Sequence, residues 1–94
     1  MNYSLLDGAT ATGDGPTLSL RSDRSRDEAL VQVAITGGTA TVVIYGRLSE
    51  AMPWVELTST TADAIVPLAR VAEMKANVSA ISGATVDAVV FYDV

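Results

Sequence analysis

The sequence predicts an all-β domain, a small antiparallel β-sandwich or jelly-roll-like fold with an extended N-terminal arm. Runs rich in Val, Ile, Thr and aromatic residues recur along the chain, as strands require. Turn residues such as Gly37-Gly38 and Ser82-Gly83 punctuate them at roughly ten-residue spacing, the rhythm of sandwiches and small barrels. The chain has 94 residues, 49% hydrophobic and 18% charged, which suits one small folded domain and not a disordered segment.

Composition changes at about residue 28. Residues 1–28 read as an extended arm, with short strand pieces at 9–12 and 17–21 joined by the turn cluster Gly13-Asp14-Gly15-Pro16. The stretch Arg21-Ser22-Asp23-Arg24-Ser25-Arg26-Asp27-Glu28 alternates in sign and reads as a solvated loop. The main sandwich is expected over 29–94. Leu30, Val31, Val33 and Ile35 mark a strand at 29–36, and Gly37-Gly38 reads as a two-residue hairpin turn into a second strand at 39–48. A loop through Met52-Pro53 leads to a strand at 54–60, and Ser82-Gly83-Ala84 leads to the last strand at 86–92.

Residues 68–77 leave two readings open. Leu68 to Ala76 are mostly helix formers, and Pro67 suits a first helical turn. From Glu73 onward, Met74, Ala76 and Val78 alternate with Lys75, Asn77 and Ser79, as in a half-buried strand.

Placing Val42, Ile44, Val86, Ala88 and Val90 on core-facing positions puts Val43, Tyr45, Val89 and Phe91 on the opposite faces of their strands. Half-solvated sheets normally carry polar residues there. A chain this short builds about two small sheets, so part of the second apolar face is expected to contact other chains, and a homo-oligomer or larger assembly is expected.

Chemistry is sparsely represented. Cysteine and histidine are absent, which excludes disulfides, thiol nucleophiles, a histidine base and zinc sites built on either residue. The formal charge is −5 and the pI about 4.3, with Lys75 the single lysine, so nucleic acid is not an expected partner. No Gly-x-Ser-x-Gly elbow, Walker loop or Asp-x-Asp-x-Asp series occurs. Glu56, Glu73 and Asp87 read as solvent-facing strand residues, and Asp7-Gly8 and Asp14-Gly15 as turn chemistry. No enzyme, cofactor or metal site is expected. Asn77-Val78-Ser79 and Asn2-Tyr3-Ser4 match a glycosylation pattern that is common by chance and has no secretion signal to support it. Trp54 suits either sugar stacking or a core or rim anchor. No apolar run exceeds five residues, against roughly 20 for a membrane-spanning helix, so a chain made in the cytoplasm with no membrane partner is expected.

Leu5-Leu6-Asp7-Gly8-Ala9-Thr10-Ala11-Thr12-Gly13, then Ala40-Thr41-Val42-Val43-Ile44-Tyr45-Gly46-Arg47-Leu48 leading to Trp54-Val55-Glu56-Leu57, resemble small structural proteins of tailed bacteriophages. The run Lys75-Ala76-Asn77-Val78-Ser79-Ala80-Ile81-Ser82-Gly83-Ala84-Thr85-Val86 is similar to an "Arg-Ala-Asn-Val-Thr then Gly-Thr-Val" ending in those proteins. The likeness spans most of Leu5 to Val90, and its motifs are strand and turn patterns. Two departures stand out. Ser49-Glu50-Ala51-Met52-Pro53 replaces a short Asp-Gly turn, and residues 68–74 are less β-branched or aromatic than in such proteins.

The resemblance implies a strand over 73–80 and an arm that belongs to the domain or tethers a neighbour. It further implies a non-enzymatic virion component, a capsid decoration or cement protein on the capsid exterior, assembled in the host cytoplasm. Its partners would be the major capsid protein, other virion proteins and copies of itself. Expected interface residues are Leu5, Leu6, Leu18, Leu20, Arg21, Arg24, Arg26, Tyr45, Trp54, Val89 and Phe91. A tail, neck or fibre-base component and a carbohydrate-binding adhesin module using Trp54 and Tyr45 are the alternatives.

Overall fold

The computed structural model describes residues 2–20, 28–69 and 71–91. Nine strands and no helix make up the described residues. In chain order they are β1 Asn2–Ala9, β2 Gly13–Asp14, β3 Leu18–Ser19, β4 Glu28–Thr36, β5 Thr39–Arg47, β6 Val55–Thr60, β7 Ala64–Ala69, β8 Glu73–Ser82 and β9 Thr85–Phe91. They form two antiparallel sheets. Sheet A has the order β1-β9-β4-β7; in sheet B the order is β2-β8-β5-β6, with β3 also on β8. The sandwich expected from the turn spacing is therefore the architecture of the chain.

Gly37-Gly38 does not make the expected hairpin. Strand β4 lies in sheet A and β5 in sheet B, so the two glycines carry the chain from one layer to the other. Residues 83–84 make the same crossing in reverse, from β8 to β9. The two crossings run side by side. Thr39 pairs with Ser82 on the sheet B side and Thr36 with Thr85 on the sheet A side, so one antiparallel register continues around the bend. The core is thus built on a long two-stranded ribbon folded over on itself, with its strands switching sheets at a corner.

That corner requires glycine. Gly37 and Gly83 have φ of 91° and 66°, where a Cβ clashes with the backbone. A Cβ on Gly38 would lie 2.2 Å from the Ser82 carbonyl oxygen, a backbone atom with no freedom to withdraw. In a hairpin, paired glycines would serve only positive φ. Here only Gly37 of the pair has positive φ, and Gly38 serves to let two backbones touch.

Alternating inward residues fill the space between the layers. Val31, Val33, Val86, Ala88 and Val90 from sheet A meet Val42, Ile44, Met74, Ala76 and Val78 from sheet B, all 2% exposed or less. The five core residues expected from alternation are among them. Gly46 also belongs to this face: a Cβ there would come within 2.8 Å of the Leu57 and Val71 side chains, which occupy the space above it.

The N-terminal residues are more regular than the arm expected over 1–28. Strand β1 spans eight residues along β9, and β2 and β3 continue onto β8 in the other sheet. Leu5 and Leu6 are neighbours in sequence yet both buried. A register shift between Ser4 and Leu6 against β9 turns both leucines inward, which simple alternation cannot do. From there the chain passes over β1, with Gly15 so close to the Leu5 carbonyl that no Cβ fits, and its N–H donates to the Ala76 carbonyl at 2.8 Å.

Residues 73–82 are a strand, as alternation from Glu73 suggested, and 64–69 form a strand that propensity did not mark. Strand β7 pairs only with β4, so Pro67 on this edge interrupts no central ladder. No helix forms over the described residues of 68–77, because β8 takes the central place in sheet B between β2 and β5, and burial of Met74, Ala76 and Val78 outweighs local propensity.

Two substitutions test this account. Ile44→Ala should cost about 2–5 kcal/mol through the cavity it leaves. Gly38→Ala, although exposed, should cost about 1–3 kcal/mol, comparable to overpacking a core. Chemical denaturation of both variants checks this; a Gly38→Ala protein as stable as the parent would contradict the close crossing.

Candidate functional site

The two sheets present unlike outer faces. On sheet B, cross-strand register sets Arg47 opposite Glu73, Tyr45 opposite Lys75 and Val43 opposite Asn77. Arg47 Nε donates to Glu73 Oε1 at 2.7 Å, and the guanidinium carbon lies 4.2 Å from the centre of the Trp54 ring. Lys75 Nζ reaches the same ring at 4.8 Å and the Tyr45 ring at 5.7 Å, and donates to Asp14 Oδ2 at 3.0 Å. Asn77 Nδ2 donates to Asp14 Oδ1 at 2.7 Å. Rings, cations and carboxylates thus form one lattice joining β2, β5, β8 and the residue before β6. Each cation–π contact at such a partly exposed site is worth about 0.5–1 kcal/mol.

This lattice assigns roles to several residues singled out in the sequence. Trp54 is half-buried with two cations against its ring, which is the anchor reading of that residue. Glu73 is paired and only partly exposed instead of simply facing solvent. Asp14 lies in β2, where its carboxylate clamps the strand to β8. Asp87 and Asp63 cap backbone groups, accepting from the N–H of Gly8 at 2.8 Å and of Ile35 at 2.7 Å. Glu56 is exposed. Among the described residues, no group of three or more acids converges to hold a metal ion.

Sheet A is different. Cross-strand pairing sets Phe91, Leu30 and Pro67 in one row, and Ser4, Val89, Gln32 and Ile65 in the next. Leu30 is 42% exposed, Phe91 47% and Ile65 64%. With Val89 and Gln32 they line a shallow depression of about 320 Å³. The outer face of sheet A thus leaves large apolar side chains open to water.

The expected interface residues separate into groups. Val89 and Phe91 lie on the apolar face of sheet A, and Tyr45 and Trp54 in the lattice of sheet B. Leu5, Leu6 and Leu20 are buried in the core and Leu18 packs against it, so their apolar surface serves this chain's own interior. Arg21, Arg24 and Arg26 lie outside the described residues. The expected second apolar face thus exists on one sheet only, since Val43 is 7% exposed beside Asn77 and Tyr45 lies beneath Lys75.

Leu30, Gln32, Ile65 and Pro67 were not singled out as residues of this outer face. The signal for Leu30 and Gln32 was present: if Ala29, Val31 and Val33 face inward, the residues between them face outward. Ile65 and Pro67 carried no such signal, because nothing local marks 64–69 as an edge strand.

No protein-family model, curated protein or solved structure matches the chain.

The Asp14 clamp has a defined pH dependence. Hydrogen bonds from Asn77 and then Lys75 hold its carboxyl below the ordinary 3.8. Its stabilising effect is complete above pH 3.8 and is lost as pH falls through the lower value of the folded chain. Because the side chain is half exposed, the clamp is worth at most about 1 kcal/mol. The stability difference between the parent and Asp14→Asn should therefore be present at neutral pH and vanish in strong acid. A difference independent of pH would contradict the ionised clamp.

Proposed function

We propose that this chain is a non-enzymatic structural component of a bacteriophage virion, a capsid decoration or cement protein that works by association through the outer face of sheet A. The apolar face formed by Leu30, Ile65, Val89 and Phe91 carries the proposal. Such a face exposed to water is unfavourable by roughly 25 cal/mol per Å², and covering it on assembly recovers that free energy. The resemblance of Leu5–Gly13, Ala40–Leu48 and Lys75–Val86 to tailed-phage structural proteins supplies the kind of assembly. A sandwich whose corner is locked by backbone contact and whose N-terminal strand lies within the sheet suits a mechanical role, because load is carried by ladders of hydrogen bonds across both layers.

A decoration protein bridges neighbouring capsid subunits and so must be present in hundreds of copies per particle, whereas a tail, neck or fibre-base component is present in tens or fewer. The lattice on sheet B bears on the adhesin alternative. Stacking a sugar on Trp54 competes with Arg47 and Lys75 for the ring.

Particles sedimented from infected cells that make the chain should carry it in hundreds of copies, counted by quantitative mass spectrometry. Val89→Asp, a change on the outer face, should reduce that number at least tenfold while leaving the melting temperature nearly unchanged. A chain found only outside the particle fraction would overturn the proposal.

A further inference from the structure

The geometry points to a second copy of this chain as the partner of the apolar face of sheet A, packed face to face about a two-fold axis with Gln32 opposite Gln32. This rests on the reading of that face as an assembly contact and names what covers it.

The sheet edges are poor places to associate. Strand β1 is interrupted by two register shifts and β7 carries Pro67. Strands β2 and β3 are two residues long, and β6 has a register shift and an exposed Glu56. These are the devices by which edges are kept from pairing with other chains. On sheet B the outer face is covered by its own charged lattice. Association through a described β surface is thereby directed to the outer face of sheet A.

Charge and hydrogen bonding select the partner. The chain carries a net charge of −5, yet the described side chains of the two rows, from Phe91 to Pro67 and from Ser4 to Ile65, include no charge. Acids stand one row beyond on either side: Asp87 along β9, with its carboxylate already accepting from Gly8, and Glu28 along β4, at the position paired with Ala69. Within these two rows a second copy therefore meets no like charge, and a strongly charged partner finds nothing to pair with.

At the centre stands Gln32, with Val89 on one side and Ile65 on the other. An apolar partner would bury its amide unsatisfied, at a cost. A two-fold related amide answers it, because each is both donor and acceptor. Isologous contacts are self-complementary in this sense. Ser4, at the margin, already donates its hydroxyl to the Leu6 carbonyl.

Size sets the strength. Two rows across strands about 4.8 Å apart give a footprint on the order of 300 Å², well under the ~800 Å² per partner of a stable complex. The contact is therefore weak in dilute solution and forms where copies are crowded.

Sedimentation equilibrium of the full chain from about 10 μM to about 1 mM, a range suited to weak association, tests the inference. The parent should shift from monomer to dimer across this range. Gln32→Glu and Gln32→Lys should each weaken the dimer at least tenfold with melting temperatures unchanged. An equimolar mixture of the two should restore it, because only a face that meets its own copy places residue 32 against residue 32. A parent that stays monomeric, or a mixture no stronger than either variant alone, overturns the inference. If the parent stays monomeric while Val89→Asp still detaches the chain from particles, the second copy is wrong and the assembly contact stands. Unchanged particle binding by Val89→Asp would remove the assembly contact itself.

Discussion

Everything in this domain depends on one continuous antiparallel pairing that survives a turn between layers. The β4–β5 and β9–β8 arms of the ribbon keep one register from Leu30↔Phe91 around the corner to Thr41↔Ala80, then shift by one residue and continue from Val42↔Val78 to Arg47↔Glu73. A bend in a paired ribbon forces the inner backbones together, and Gly38 against Ser82 is where that happens. Once the bend is made, the inward faces of both halves oppose each other, and a core of Val, Ile, Met and Ala follows from alternation. The remaining strands extend the two halves, with β1 and β7 on one side and β2, β3 and β6 on the other.

The same register determines what faces outward. On sheet B it aligns Arg47 with Glu73 and Lys75 with Tyr45, and the loop before β6 brings Trp54 against both cations. Long cationic side chains thus cover aromatic surface that would otherwise meet water. On sheet A the corresponding positions hold Leu30, Val89 and Phe91, with no charged side chain of the two rows above them. The asymmetry between faces is a consequence of pairing, and the proposed assembly through sheet A rests on it.

Local pattern exposed much of the fold. Alternation in 39–48 and 86–92 identified the strands and their buried residues, and from Glu73 onward the alternating pattern, one of two readings the residues left open, is the one the fold adopts. The errors share a cause: each concerned a relation between distant segments. Gly37-Gly38 has the composition of a hairpin, and nothing within it tells whether the next strand returns beside β4 or continues into another layer. That is decided by residues 82–85, which pair across the bend. Residues 64–69 carry a proline and run into helix formers, yet the free edge of β4 makes them a strand. Leu5 and Leu6 looked available as an arm, and the register shift against β9 buries both.

By itself, the sequence determined the class of fold, its principal strands, the residues of the central core and the absence of cysteine and histidine chemistry. These depend on composition and on period-two alternation, which are local properties of a strand. Only the tertiary structure decided which strands share a sheet, which leucines are consumed internally, and which of two apolar-looking outer faces remains open. A strand's partners are chosen across tens of residues, so the side chains that cover Val43 and Tyr45, and the absence of such cover over Val89 and Phe91, become visible only when the register is known.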